Sequence, residues 1–130
     1  MLNLPDKHET NIQKQLFEGK RLIAGLCASW CENCESWQIV FSSLSDKYPD
    51  YCFVWLDIED HPDMVAEVDL DILPVLLVQD RDNILFLGPV RPDREVAERI
   101  IQSTSSTMQV FEPGIRDFLI EGCSFANESI

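Results

Sequence analysis

Three of the chain's five cysteines, Cys27, Cys31 and Cys34, fall within eight residues, while Cys52 and Cys123 stand apart. An odd number of cysteines without regular spacing does not suit an oxidised, disulfide-stapled secreted domain. The crowded three point to thiol chemistry. Cys31 and Cys34 lie three residues apart, about one helical turn, where an apolar run gives way to a helical pattern. A thiol at a helix N-terminus meets unpaired backbone N–H groups and the positive end of the helix dipole, and both favour the thiolate. The thiolate is the species that attacks a disulfide, and a second thiol one turn away can resolve the mixed disulfide. Cys31 is therefore expected to attack and Cys34 to resolve. Cys27 falls inside the apolar run and reads as a small core residue.

Two other chemistries use similar spacings. Cys27-x-x-x-Cys31-x-x-Cys34 matches the pattern by which radical SAM enzymes hold an iron–sulfur cluster. Those enzymes need a far longer chain for their partial barrel, and Asn33 stands where an aromatic residue is usual. A zinc site would call for a second Cys-x-x-Cys pair, which is missing, and His8 and His61 lie far from the cysteines in sequence. Both histidines read as exposed polar residues. No metal and no cofactor is expected.

The elements that must position the cysteines can be read from periodicity. Leu22 to Ala28 is continuously apolar, the mark of a strand buried on both faces. From Glu32 to Lys47 the apolar residues Cys34, Trp37, Val40, Phe41 and Leu44 keep helical spacing, and Pro49-Asp50 stops the pattern. Before the first strand, Thr10 and Gln13 have capping-box spacing, predicting a helix over 11–18 with Gly19 near its C-cap. After the long helix, Tyr51 to Ile58 reads as a second central strand, and Pro62 suits a short helix carrying Met64, Val65 and Val68. Pro74–Val78 and Ile84–Leu87 read as strands around the polar turn 79–83, with Gly88-Pro89 breaking the second. Pro92 can open a helix striped by Val96, Ala97, Ile100 and Ile101, and 113–121 can form a last one. Early alternation of strand and helix implies parallel crossovers, and the late hairpin adds an antiparallel edge. The expectation is an α/β fold, a mixed sheet with helices on both faces and no internal repeat.

Trp30-Cys31-Glu32-Asn33-Cys34, followed forty residues later by Pro74 in Ile72-Leu73-Pro74-Val75, resembles the thioredoxin family. The order of elements agrees, over roughly residues 10 to 102. The resemblance implies a thioredoxin-like mixed β-sheet with a parallel core and an antiparallel hairpin. It implies a thiol–disulfide oxidoreductase acting on protein disulfides through Cys31 and Cys34. It further implies a cis Pro74, with Trp30, Leu73 and Pro74 receiving an extended substrate chain and Leu73 offering backbone hydrogen bonds. A thiol reductant such as a thioredoxin reductase would supply electrons. Residues 1–102 form the thioredoxin-like domain in this reading, and 103–130 a C-terminal extension with one short helix. Several residues depart from the family. Glu32-Asn33 replaces Gly-Pro between the cysteines, Glu35 stands where lysine is common, and Ile39 where a proline often kinks the helix. The family's buried carboxylate six residues before the first cysteine is Gly25 here, and Trp55 occupies the place of a nearby lysine. These departures keep open an alternative, a thioredoxin-fold interaction or chaperone module with little redox activity.

The formal net charge of −13 is spread from Asp6 to Glu128. Such a surface repels phosphate backbones and anionic headgroups, which argues against nucleic-acid or membrane partners. No apolar run approaches the ~18 residues of a membrane span, and the first ten residues lack the apolar core of a secretory signal. A cytoplasmic monomer is expected. Cys123, after Gly122 near the chain end, is expected to be accessible and incidental.

Overall fold

A strand that is apolar on both faces needs a layer on each side, and this chain supplies both. The computed structural model describes residues 2–5, 7–28, 31–62, 65, 72–80, 83–91, 93–102 and 115–121. The elements are β1 (Leu2–Asn3), α1 (Glu9–Phe17), β2 (Leu22–Cys27), α2 (Glu32–Lys47), β3 (Cys52–Asp57), β4 (Val75–Gln79), β5 (Ile84–Pro89), α3 (Arg94–Gln102) and α4 (Ile115–Glu121). They form one five-stranded sheet in the order β1-β3-β2-β4-β5. β1, β3 and β2 run parallel, and β4 is antiparallel to both β2 and β5. This is the mixed sheet expected, with its parallel core and antiparallel hairpin.

Alternation along the strands decides which helices each side chain meets. Leu22, Ala24 and Leu26 of β2 join Cys52, Val54 and Leu56 of β3 in one core cluster, closed by Ile12 and Leu16 of α1 and Ile115 and Leu119 of α4. Their neighbours Ile23 and Cys27, with Phe53 and Trp55, fall in the opposite cluster under Cys34, Trp37, Phe41 and Leu44 of α2 and Ala97 and Ile101 of α3. Fully burying an aliphatic or phenyl side chain contributes roughly 1.5–3 kcal/mol, so each face is held by many such contributions. One consequence bears on the chemistry. Cys27 shares its parity with Ile23 and so faces α2.

Local boundaries differ from the sequence expectations in several places. α1 begins at Glu9 with His8 as its N-cap, and no side chain caps it, so the Thr10–Gln13 capping box does not form. Gln13 instead donates to the Ile120 carbonyl oxygen at 2.9 Å, a tertiary partner that the local pattern could not reveal. His8 is half-buried rather than exposed, with Nδ1 accepting the Leu4 N–H at 3.0 Å, and His61 is half-buried too. Gly19 ends α1 as expected. Its φ of 88° lets its N–H reach the Leu16 carbonyl while the Lys20 N–H reaches that of Gln15, the paired bonds of a Schellman motif.

Gly88-Pro89 does not break β5, which runs through Pro89 opposite Val75. β5 is an edge strand in the sheet order, where a proline's missing N–H costs no ladder bond. The two-residue β1, too short to show a period, has no counterpart in the sequence expectation. At α3 the Asp93 carboxylate accepts the N–H groups of Glu95 and Val96. Pro92, Met64, Val68, Pro113 and Cys123 lie outside the described residues, and so does Trp30.

Candidate redox site

The site forms where three strand ends meet the start of a helix. β2 and β3 are parallel and in register, so Cys27 and Asp57 end side by side at one edge of the sheet. β4 begins at the same edge, with Val75 opposite Leu26, and the Leu73–Pro74 bond just before it is cis, as the resemblance implied. The Pro74 carbonyl is held by the Val90 N–H at 3.0 Å. Leu73 packs against both core clusters and, like Cys31, lies against the cluster that contains Cys27 and Cys34.

α2 starts at Glu32 with Cys31 as its N-cap, φ −90° and ψ 116°, and the Cys31 side chain makes no capping hydrogen bond. Cys31 is half-buried and carries a free thiol. Its N–H donates to the Ala28 carbonyl at 3.1 Å and its carbonyl accepts the Cys34 N–H at 3.2 Å, which fixes the turn between strand and helix. Cys34, in the first turn on the underside of α2, is 4% exposed. Helix periodicity puts it on the same face as Trp37 and Phe41, pointing at the sheet.

The bonded pair is not the one with the shorter spacing. Cys34 is joined in a disulfide to Cys27, with Cα atoms 5.7 Å apart, inside the range that a disulfide requires. Cys27 is therefore not a small core filler, and that expectation is corrected. Its strand parity aims it at α2, where the sulfur of Cys34 is waiting. All three cysteines line one pocket of 420 Å³, together with Ala28, Glu32, Glu35, Gln38, Trp55 and Asp57.

The missing carboxylate six residues before Cys31 has a structural explanation. A Cβ on Gly25 would come within 2.8 Å of the Trp37 ring and 3.3 Å of Phe41. Trp37 stacks on Phe41 with ring centroids 5.0 Å apart and leans on Trp55 at 5.8 Å. The aromatic rings thus fill the space that an acidic side chain at 25 would need. At the strand ends the pocket's carboxylate comes from β3 instead: Asp57, whose Oδ1 accepts the Glu59 N–H at 2.9 Å. Glu32 and Glu35 are exposed in the first turn of α2. Among the described residues no group of three or more His, Cys, Asp or Glu is placed to hold a metal ion. No helix among them is long and apolar enough to cross a membrane.

A family model described as thioredoxin matches residues 3–101. The chain belongs to the thioredoxin family. Among its relatives, thioredoxin H5 of Oryza sativa subsp. japonica is 32% identical over 72 residues, covering 55% of this chain and 53% of that protein. The chain spans about half the length of the curated relatives it matches. A wild-type thioredoxin h of poplar superposes with a TM-score of 0.65 at 18% identity, over 79% of this chain and 98% of that one. Thioredoxin f2, solved in complex with ferredoxin:thioredoxin reductase, gives a TM-score of 0.62 at 17% identity, over 78% and 91% of the two chains. At these identities the likeness of structures is one of fold.

Within this thioredoxin fold the sequence pattern located Cys31, Cys34, Leu73 and Pro74 around one sheet edge, and it missed Cys27 and Asp57. A signal for both was present. Parity along β2 (residues 23, 25, 27) and along β3 (53, 55, 57) puts each on the α2 face at the strand end nearest the helix start.

Proposed function

We propose that the chain is a thiol–disulfide oxidoreductase acting on protein disulfides, with Cys31 as nucleophile and Cys34 as resolving thiol. The observation that supports it is the half-buried free thiol of Cys31 at the N-terminus of α2, one turn from a buried sulfur already engaged in disulfide chemistry. In the fully reduced protein, the Cys31 thiolate attacks one sulfur of the substrate disulfide. A new S–S bond forms and the substrate's other sulfur leaves as a thiolate. Cys34 then attacks Cys31 Sγ, expels the second substrate thiolate and leaves the protein oxidised by two electrons. Protons released by the two protein thiols go to the two substrate thiolates.

In this reading an extended substrate segment lies across Trp30, Leu73 and Pro74. The substrate-side roles of these three residues rest on the family resemblance together with the placement of Leu73 and Pro74 at the sheet edge that holds the cysteines. The partners are protein disulfides and a thiol reductant such as a thioredoxin reductase, and the protein works as a cytoplasmic monomer. Residues 1–102 are the working domain and 103–130 an extension. Insulin reduction tests the activity: wild type should speed it well above the dithiothreitol background, and Cys31→Ser should return it to background. Equal rates for wild type and Cys31→Ser would overturn the proposal in favour of an interaction module on the same fold.

A further inference from the structure

Cys34 has two sulfur partners within reach, and only one of them is the expected one. Cys31 lies three residues before it on the same helical turn, where neighbouring Cβ atoms are about 5–6 Å apart. Cys27 lies beneath it on β2 and is bonded to it. Cys27 is 2% exposed and Cys34 4%, so this disulfide is shielded from macromolecules, while Cys31 stands free at the mouth of the same pocket. A permanent Cys27–Cys34 staple would leave Cys31 without a resolving thiol. A permanent Cys31–Cys34 pair would leave Cys27 as a third thiol beside a disulfide.

We propose that Cys27 is a third redox-active residue, and that Cys34 exchanges between Cys31 and Cys27. The inference rests on the reading of Cys31 and Cys34 as the attacking and resolving thiols. After Cys34 has resolved the mixed disulfide, the protein holds a Cys31–Cys34 bond. The Cys27 thiolate attacks Cys34 Sγ, the Cys27–Cys34 bond forms, the Cys31–Cys34 bond breaks, and Cys31 leaves as a thiolate. The proton lost by Cys27 is regained by Cys31 through the pocket, so the step is an isomerisation with no net electron change. The oxidising equivalent is thereby moved from the rim to the buried end of the site. The oxidised protein presents a free nucleophile to its surroundings in place of an accessible disulfide. Reduction runs the step backward, with Cys31 attacking Cys34 Sγ before an external thiol can attack the half-buried Cys31 sulfur.

The probe is 5,5′-dithiobis(2-nitrobenzoate), which releases one coloured thiolate each time a protein thiol attacks it and another when the resulting mixed disulfide is resolved. The protein is the full chain carrying Cys123→Ser, fully reduced, with and without Cys27→Ala. Expected from the first protein is one equivalent from Cys31, a second as Cys34 resolves, and a third as the liberated Cys31 attacks again. The aryl adduct that remains should map to Cys31, and cleavage after both Trp30 and Glu32 should leave the Cys27 and Cys34 peptides joined and the Cys31 peptide separate. The Cys27→Ala protein should stop at two equivalents. Should that variant fail to fold, the position of the adduct in the parent protein decides by itself. A retained adduct on Cys27, or no third equivalent from the parent, overturns the exchange while leaving the proposed dithiol intact. Absence of the second equivalent removes both.

Discussion

Burial separates residues of one type into different chemistries at this site and beyond it. Cys52, fully buried in β3 opposite Leu22, has its thiol pushed up to about 12 because burial disfavours the thiolate, with Lys20 offsetting this only in part. It should resist alkylation at neutral pH until the chain unfolds. The fold also keeps a proton that the unfolded chain releases above the ordinary value of 9.0. Stability should therefore fall as pH rises from about 9 towards about 12, and this group should have no effect below that window. Urea melts of wild type and Cys52→Ala across that range check it; parallel pH dependence in the two proteins would count against it. Asp57 presents the opposite case, an acidic residue lining the pocket shared by the three cysteines. A carboxylate there can take the proton from Cys34 as it attacks, and position 25 has no room for one. Asp57→Asn should slow release of a trapped Cys31 mixed disulfide by about tenfold or more, within the range that general bases contribute. Initial labelling of Cys31 should change little. Release as fast as in wild type would remove Asp57 from the mechanism.

At the scale of elements, the seam between β2 and α2 determines what the site can be. Gly25 is the point of closest approach, where the Trp37 ring takes up the volume of a side chain. Gly25→Ala should cost about 1–3 kcal/mol by overpacking, read from chemical denaturation, and unchanged stability would mean the rings can move aside. Restoring an acidic residue by Gly25→Asp should destabilise further without speeding resolution. How legible these elements were follows from how local their causes are. α2 could be read to the residue because Cys34, Trp37, Phe41 and Leu44 keep one face and Tyr48-Pro49 ends it. The start of α1 could not, since Gln13 is engaged by Ile120, a residue 107 positions away. β1 was invisible because two residues show no period, and it exists by pairing with β3. The Cys27–Cys34 bond lay hidden for a related reason. Spacing along the chain favours the i, i+3 pair, whereas the partner under Cys34 is set by the parity of a neighbouring strand.

The whole molecule divides its work between the two faces of the sheet. α2 and α3 cover the face that carries Cys27, Cys34 and the aromatic cluster, and α1 and α4 cover the other. α4 is fastened to α1 from both sides, by Gln13 to the Ile120 carbonyl and by Arg116 Nη2 to the Leu16 carbonyl at 3.2 Å. It therefore lies across the sheet from the cysteine pocket, on the face opposite α2. Among the described residues β2, β3 and β4 send alternate side chains into both faces, and the β2–β3 ladder is continuous from Leu22–Cys52 to Cys27–Asp57. Loosening the α1–α4 layer should then lower stability without altering the chemistry of the native state. Leu119, 2% exposed, is the side chain to truncate. Leu119→Ala should cost about 2–5 kcal/mol through lost burial and the cavity left behind. The rate at which the remaining native molecules label Cys31, and the number of equivalents their site releases, should match wild type. Those rates are to be measured well below the variant's unfolding midpoint, so that the unfolded fraction adds no thiols of its own. A change in the Cys31 labelling rate under these conditions would mean that the two layers are coupled through β2, and the division of labour between the faces would not hold.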